Sequence, residues 1–488
     1  MKKIIVIGAG PGGLAASLLL QARGFDVTLI EKDEHVGGRS KRVSLGEFHF
    51  DLGPTFLMYI DVLKQVFERS GYDLEKEINL IKLDPLYKLI FKDHTLELSA
   101  DLKKNIAMYE SMKPGLGQAY QSWLNDQTYK MTKIKSILEK PFPNVFHLFR
   151  PDVLKAAPVS HPFKSVYSLL KTYDRDDHFI HSLSFQAKYL GMASYQAPSI
   201  FTILPYLEHV TGLYHVEGGL NQINEVMAKL FKEKGGNLLT NTQVTKVLVE
   251  KHRVQCVELE NGEKILSDVV VMNADFAYAM TQLFNQKDLR KYKKEKTEKK
   301  KYSISTWMMY LGINRKLDLP HHEIIFSDDY NQYLKDLMNG KLTKDLSIYV
   351  HNPSVIDETL APQGKSSIYI LLPVPNLKHG YDWDEESPNL KEFVYNRIKE
   401  KHGFDIKSMI EVEKIYTPSD WMKNEHVYQG AVFNLSHGLD QMLFLRPHNQ
   451  FEDVKGIYLV GGGTHPGSGL PTIYQSALIA DDLISKLT

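Results

Sequence analysis

Residues 3–31 read KIIVIGAGPGGLAASLLLQARGFDVTLIE. The apolar run from Ile4 to Ile7 predicts a buried strand, and the segment from Leu14 to Arg23 predicts a helix that ends at Gly24. A second strand is predicted from Asp26 to Glu31. Because strand, glycine-rich turn, helix and strand follow one another directly, the segment predicts the βαβ unit of an α/β fold.

The glycines of the turn have the spacing GxGxxG, which is typical of a Rossmann-type dinucleotide site. Gly8 allows the tight turn, Gly10 lets the backbone approach a pyrophosphate, and Gly13 permits close packing of helix on strand. Gly12 lies in the same turn, where the helix N-terminus offers unpaired N–H groups to phosphates. Glu31 ends the second strand, where a carboxylate accepts hydrogen bonds from ribose hydroxyls.

Two further segments distinguish between dinucleotides. After Glu31 the chain reads VGGR at residues 36–39 and FDLGP at residues 50–54. This pattern resembles the FAD family of amine oxidases, protoporphyrinogen oxidases and carotenoid desaturases. A single glycine fingerprint argues against a pyridine-nucleotide disulfide reductase, which carries two. The resemblance therefore implies FAD as the cofactor.

The same resemblance implies roles for individual residues after the fingerprint. Gly37 and Gly38 would let the backbone close over the cofactor, with Arg39 beside its phosphates or its flavin. The alternative for Arg39 is a solvated surface arginine. Further cofactor-binding residues implied are Gly53, Pro54 and Val244.

The C-terminal segment from Gly456 to Pro471 reads GIYLVGGGTHPGSGLP. It predicts a strand, a glycine-rich loop and a helix that begins near Pro471, where proline costs no hydrogen bond. Free N–H groups at this helix start suit the flavin pyrimidine oxygen. The string resembles the signature of bacterial-type phytoene and diapophytoene desaturases. The cofactor-binding residues that it implies are Gly462, Gly463, Gly469, Leu470 and Pro471.

His465 stands inside this loop, and two roles are open for it: direct participation in the chemistry or orientation of the loop. No other catalytic side chain is predicted, because the flavin of such enzymes carries the chemistry. His465 has no second histidine, cysteine or carboxylate at ligand spacing nearby. We therefore expect no metal.

The resemblance to carotenoid desaturases extends over most of the chain, through residues 185–191, 196–199, 214–219, 360–362 and 370–375. It implies FAD-dependent desaturation of an acyclic carotenoid precursor, with quinone or oxygen as the electron acceptor. A carotenoid oxidase or oxygenase, an isomerase, and an amine or protoporphyrinogen oxidase remain alternatives. A non-catalytic lipid-binding protein on this fold is disfavoured because every dinucleotide element is intact. The choice between a C30 and a C40 substrate stays open.

The expected architecture interleaves an FAD-binding Rossmann-type domain with a mixed α+β substrate domain and a helical, membrane-contacting region. The FAD-binding domain is expected from residues 1–104, 210–284 and 440–488. The helical region is expected from residues 105–209, and the substrate domain from residues 285–439.

Composition limits the location and the partners. With 59 basic and 59 acidic residues the chain has no basic excess, which argues against nucleic-acid binding. Cys256 is the single cysteine, which fits a reducing cytoplasm. No apolar run reaches the roughly 18 residues that a spanning helix needs. Because a carotenoid precursor lies in a bilayer, we expect a protein that associates peripherally with the membrane surface.

Two segments are candidates for contact with membrane or substrate. Residues 142–150 form an apolar and aromatic stretch with a basic end, which suits interfacial insertion. A lysine-rich stretch, residues 287–301, suits anionic headgroups or is simply a solvated face. An apolar substrate tunnel is expected, with aromatic candidates at Phe142, Phe146, Phe149 and Tyr167.

Overall fold

The predicted βαβ unit lies in a five-stranded parallel sheet in the computed structural model, which describes residues 2–487 and, at Tyr189, the backbone alone. The strand order across the sheet is Asn237–Leu239, Asp26–Ile30, Lys3–Ile7, Val269–Met272 and Ile457–Leu459. The strands come from three separate parts of the chain, as the interleaved architecture requires.

Both faces of this parallel sheet are covered, which explains why its strands are apolar almost throughout. The helices Pro11–Ala22, Asn221–Glu233 and Leu470–Ile484 pack on one face. On the other face lies an antiparallel sheet of three strands, Val244–Glu250, Arg253–Leu259 and Lys264–Leu266. The last two strands form the hairpin predicted at residues 261 and 262.

A second sheet, of seven strands, belongs to the other domain. Its strand order is Ile410–Tyr416, Ser305–Ile313, Ser366–Val374, Ile348–His351, His322–Ile325, Tyr87–Ile90 and Thr95–Leu98. The strands Tyr87–Ile90 and Thr95–Leu98 fall within the segment 1–104 that was expected to belong to the FAD-binding domain. The sheet pairing therefore does not follow a division at residue 104.

A helical region packs against the seven-stranded sheet through a large apolar core. Its members are Leu102–Met112, Leu116–Leu138, Pro151–Ser160, Val166–Leu170, Asp177–Ser182 and Ile203–Thr211. Tyr109, Tyr120 and Trp123 anchor it and are fully buried. Among residues 2–487, no helix combines the length and the apolarity that a bilayer crossing requires.

The remaining strands among residues 2–487 form two smaller sheets. The strands Arg42–Leu45 and Phe48–Asp51 pair with each other, and Leu213–Val216 pairs with Leu57–Met58 and Leu80–Lys82. The other α-helices are Asp61–Arg69, Leu74–Glu77, Phe276–Tyr278, Lys294–Glu298, Tyr330–Met338, Trp383–His402 and Pro418–Glu425.

Candidate functional site

A continuous cavity runs along the carboxyl edge of the parallel sheet and extends between the helical region and the seven-stranded sheet. Most of the residues predicted to bind the cofactor line it. They are Gly8, Gly10, Gly12, Glu31, Gly38, Arg39, Gly53, Pro54, Val244, Gly462, Gly463, Gly469, Leu470 and Pro471. Segments that are far apart in the sequence therefore meet at one site.

Gly13 and Gly37 lie behind the cavity wall and shape it. A Cβ atom on Gly13 would sit well inside van der Waals distance of the Gly8 carbonyl oxygen. This close approach is the helix–strand packing that the fingerprint predicts. Gly37 has a φ of 113°, and its N–H donates to the Ala9 carbonyl over 2.8 Å. This hydrogen bond connects the VGGR loop at residues 36–39 directly to the GxGxxG turn at residues 8–13.

Glu31 lies at the end of its strand with only 5% of its surface exposed. One carboxylate oxygen accepts from the Ala9 N–H at 2.7 Å and the other from the Asp33 N–H at 3.0 Å. Burial raises the pKa of this carboxyl group. Because each carboxylate oxygen can accept more than one hydrogen bond, acceptor sites remain for ribose hydroxyls.

Arg39 reaches into the cavity wall and is not a solvated surface arginine. Its guanidinium donates to the Asp275 carboxylate at 2.6 Å and to the Val432 carbonyl at 2.8 Å. Asn434 donates to the same carboxylate at 2.7 Å. Arg39 therefore connects the VGGR loop to the middle part of the FAD-binding domain through Asp275 and to the segment 285–439 through Val432.

Two polar residues that support the glycine loops were not predicted. The Asn273 side-chain amide donates to the Gly8 carbonyl at 3.1 Å and lies beside the other fingerprint glycines. Arg446 is fully buried and donates to the carbonyls of Gly462 and Thr464 at 2.7 and 3.0 Å. The position of Asn273 after an apolar strand offers a sequence signal, whereas Arg446 offers none.

His465 does not line the cavity, although its loop does. The ring is 2% exposed, and its Nε2 forms a 3.0 Å hydrogen bond with the Lys140 carbonyl. Burial lowers the pKa of His465 to about 4. This placement argues against direct participation in the chemistry and supports the alternative role of orienting the loop, here against the end of the long helix Leu116–Leu138.

Beyond the glycine loops the cavity becomes an apolar chamber. Its walls come from the helices Leu116–Leu138 and Ile203–Thr211 and from the 3₁₀ segments Phe185–Leu190 and Ser199–Thr202. The side chains that line it there include Met131, Ile134, Leu138, Phe185, Ile200, Phe201, Leu204 and Leu207. An extended hydrocarbon is the kind of ligand that such walls accept.

The aromatic residues proposed for the tunnel were wrong choices. Phe142, Phe146, Phe149 and Tyr167 do not line the cavity. Phe142 is a core residue that is 2% exposed, whereas Phe146 and Phe149 are 76% and 68% exposed on the outer surface. Aromatic content alone does not distinguish a core, a cavity wall and an exposed patch.

A buried histidine cluster lies behind the cavity wall. Nitrogens of His215, His321 and His351 all lie within 4.8 Å of one another, and His215 forms a 2.7 Å hydrogen bond with Asp357. A tetrahedral ion bound at about 2.0–2.1 Å would hold its ligand nitrogens about 3.3–3.4 Å apart. His321 and His215 are joined by a 3.1 Å hydrogen bond, so this pair needs no ion between them. The absence of a metal remains a prediction.

Comparison with known proteins identifies the family. Residues 11–484 match the family of flavin-containing amine oxidoreductases. A 4,4'-diapophytoene desaturase (4,4'-diapolycopene-forming) from Methylomonas sp. is 41% identical over 99% of this chain and 95% of its own length. An all-trans-zeta-carotene desaturase from Myxococcus xanthus is 35% identical over 100% and 94%. The chain belongs to the carotenoid desaturase branch of this flavoprotein family.

The fold is also found in solved structures. An engineered putrescine oxidase superimposes with a TM-score of 0.66 over 99% of this chain and 98% of its own. Because the two sequences are only 12% identical, this likeness concerns the fold alone.

The protein is an FAD-dependent oxidoreductase, and the cavity fits that cofactor. The glycine turn leaves the N-terminus of the helix Pro11–Ala22 open toward the cavity. Gly469 similarly precedes the helix Leu470–Ile484 at the other end of the FAD-binding domain. Two helix starts would therefore offer N–H groups to the phosphates and the flavin ring of a bound FAD. When bound, FAD supplies a two-electron acceptor.

Proposed function

We propose that this enzyme desaturates an acyclic carotenoid precursor such as phytoene or diapophytoene. The observation that carries the proposal is the apolar chamber that opens directly from the dinucleotide site. A hydrocarbon chain in this chamber would extend toward the C-terminal glycine loop. The names of the desaturase relatives support the same reaction, since their similarity covers the whole chain.

In this proposal the site residues divide into two groups. Gly8, Gly10 and Glu31 hold the nucleotide half of FAD, through backbone N–H groups and one carboxylate. Gly462 and Gly469 belong to the loop beside the flavin ring. The protein contributes binding, orientation and exclusion of water, because the redox chemistry belongs to the cofactor.

We further propose that the substrate enters from a membrane surface. The helix Leu116–Leu138 lines the chamber with its C-terminal half, and the exposed aromatic side chains of Phe146 and Phe149 follow closely. Phe163 is 99% exposed in the neighbouring loop. These side chains suit insertion between headgroups, which would place the chamber next to the lipid.

The lysine-rich stretch is a weaker candidate for membrane contact. Lys291 pairs with Glu452 at 2.7 Å, and Lys301 pairs with Asp440 at 2.8 Å. These ion pairs reduce the charge that the stretch offers to anionic lipids. We therefore assign the membrane contact to the aromatic patch formed by Phe146, Phe149 and Phe163. In this proposal the protein associates with the cytoplasmic face of the membrane. Quinone or oxygen then reoxidises the flavin.

Pigment chromatography tests the proposed function. Cells that carry a phytoene or a diapophytoene synthase together with this protein should replace the colourless precursor by more conjugated, coloured carotenes. Gly469→Val crowds the loop at a φ of 108° and should abolish the colour. Unchanged precursor in both the C30 and the C40 background, with the flavin fully loaded, would contradict the desaturase and favour an oxidase that acts on conjugated carotenoids.

A further inference from the structure

A lysine stands in the apolar part of the cavity. Lys188 belongs to the 3₁₀ segment Phe185–Leu190, is half-buried, and lines the chamber. Its Nζ lies 5.1 Å from the ring centre of Tyr330 and 5.7 Å from that of Phe326. Within residues 2–487, no carboxylate lies at ion-pair distance from this nitrogen. A lysine without an acidic partner is costly in such surroundings and calls for a functional explanation.

The carboxylates that line the same cavity already bind other groups of the protein. Asp275 binds Arg39, and Glu31 accepts from two backbone N–H groups, as described above. Glu425 accepts from Lys41 at 2.7 Å. Asp33 binds the same lysine at 2.8 Å. These four groups lie along the nucleotide and loop side of the cavity, and each already accepts hydrogen bonds from other groups of the protein.

Glu139, His437 and His426 are the remaining candidates for a base. The His426 ring stacks on that of Tyr278 at 4.4 Å between ring centres, on the nucleotide side of the cavity near Asp33 and Asp275 and not in the apolar chamber. Glu139 ends the long helix near solvent, 3.8 Å from Lys135. His437 accepts a 3.0 Å hydrogen bond from the Ser468 N–H through Nε2, so the lone pair of that nitrogen is already engaged. Among the described residues that line the chamber, Lys188 is therefore the basic side chain whose nitrogen has no hydrogen-bond or ion-pair partner in the protein.

We propose that Lys188 is the base that removes the proton in the desaturation step. The proposal rests on the proposed function. Desaturation removes a hydride from one carbon and a proton from its neighbour, and the carbon–carbon double bond forms from the electrons of the second C–H bond. The hydride reduces the bound flavin, and the proton goes to the lone pair of Nζ. The resulting ammonium releases the proton to solvent before the next step.

The surroundings of Lys188 keep both of its protonation states accessible. Burial lowers the pKa of Lys188 to about 7, so that a neutral amine is available near neutral pH. The faces of Phe326 and Tyr330 stabilise the ammonium that forms after proton transfer. A catalytic base works best with a pKa near the operating pH.

The titratable groups that face Lys188 leave its own titration undisturbed. His181 packs against Tyr330 at 4.9 Å between ring centres, and burial lowers the pKa of His181 to about 4. Burial also lowers the pKa of His437 far below its usual range and raises that of Tyr330. All three are therefore neutral around pH 7.

The first test measures flavin reduction in a single anaerobic turnover, with liposome-bound substrate. Lys188→Met should slow reduction by roughly 10²–10⁴-fold while FAD content stays unchanged. Lys188→Arg should be similarly slow, because a guanidinium does not give up its proton. Lys188→Ala should regain rate when ethylamine is added. Lys171→Met is the matched control, since Lys171 also lies over a tyrosine ring but outside the cavity, and it should keep the wild-type rate.

The second test does not depend on activity. Reductive methylation with ¹³C-formaldehyde labels the lysines, and the NMR resonance that disappears in Lys188→Met identifies this side chain. We expect it to be shifted by the neighbouring rings and to titrate near pH 7. An unchanged reduction rate in Lys188→Met, or an Nζ that titrates near its ordinary value, would overturn the inference. Failure of the proposed function is distinguished from this, because the wild-type protein would then convert no substrate at all.

Discussion

At the scale of single residues, two glycines of the fingerprint have different physical roles. Gly13 permits close packing of helix on strand, whereas Gly10 permits the approach of the pyrophosphate, and alanine substitutions distinguish the two roles. Gly13→Ala places a methyl group against the Gly8 carbonyl oxygen, so helix and strand must separate. Gly10→Ala places it 3.0 Å from the Asn273 amide, a contact that a side chain can relieve. We expect Gly13→Ala to lose about 2 kcal/mol or more of stability together with its FAD. Gly10→Ala should fold but bind FAD weakly, because its methyl group stands where the pyrophosphate approaches.

Urea unfolding and the ratio of flavin to protein absorbance measure both effects. Gly24→Ala is the control, because this glycine ends the same helix in the left-handed region with no neighbouring atom within 4 Å. It should cost only about 1 kcal/mol and keep the full flavin content. Equal flavin content in Gly10→Ala and the wild-type protein would contradict the assigned role of Gly10.

The sequence predicts the residues that line the cavity better than those that support its loops. The turn is formed by residues that are adjacent in the sequence, so the glycine spacing alone predicts the positions of Gly8 to Gly13 in the turn. Arg446 and Asn273 act on loops that are distant in sequence, and their roles follow only from the tertiary fold. The two alternatives for His465 could be separated only by seeing that its ring points toward the Lys140 carbonyl.

At the scale of elements, the 3₁₀ segment Val145–Phe149 carries the proposed membrane contact. This segment, with its exposed aromatic rings, follows the end of the chamber-lining helix Leu116–Leu138 in the chain. Each phenylalanine that enters the interface contributes about 1.5–3 kcal/mol. Replacing Phe146 and Phe149 by serine should therefore weaken binding to vesicles by about two to four orders of magnitude, and should slow turnover of liposome-bound substrate.

Vesicle sedimentation measures this binding. Leu266→Ser is the matched control, since Leu266 is 68% exposed on an edge strand of a different sheet. That variant should sediment with vesicles as the wild-type protein does. Unchanged sedimentation of the Phe146→Ser, Phe149→Ser double variant would contradict the prediction and show that another part of the surface contacts the membrane.

Elements with strong local patterns were predicted well, and those that depend on pairing were not. The apolar runs at residues 4–7, 269–272 and 457–460 correspond to three strands of one parallel sheet. The strands Tyr87–Ile90 and Thr95–Leu98 belong to the second sheet through a pairing with residues 323–325. Because this pairing joins distant parts of the chain, periodicity alone could not place those strands in the substrate domain.

At the scale of the whole molecule, the two domains share the wall of one cavity and should respond together to the cofactor. The hydroxyl of Tyr310 donates to the Leu52 carbonyl at 2.6 Å, and that of Tyr369 to the Gly53 carbonyl at 2.8 Å. The backbone at Leu52 and at the cavity-lining Gly53 is thus held by strands of the seven-stranded sheet. FAD that binds only the folded protein adds about 2.7 kcal/mol at a free concentration of 100 times its Kd.

Hydrogen exchange of the FAD-free protein, with and without added FAD, tests this coupling. Protection should increase in the strand Lys3–Ile7 and also in Ser305–Ile313 and Ser366–Val374, which do not belong to the parallel sheet. Gly13→Ala, which is expected not to bind FAD, should show no change in any of these strands. The tyrosine hydroxyls are the groups that connect the cavity wall to the seven-stranded sheet. The double variant Tyr310→Phe, Tyr369→Phe should therefore show a smaller increase in hydrogen-exchange protection in that sheet and an unchanged increase in Lys3–Ile7. Protection confined to the parallel sheet of the wild-type protein would mean that the substrate domain is stable without the cofactor, and that the shared cavity wall does not couple the two.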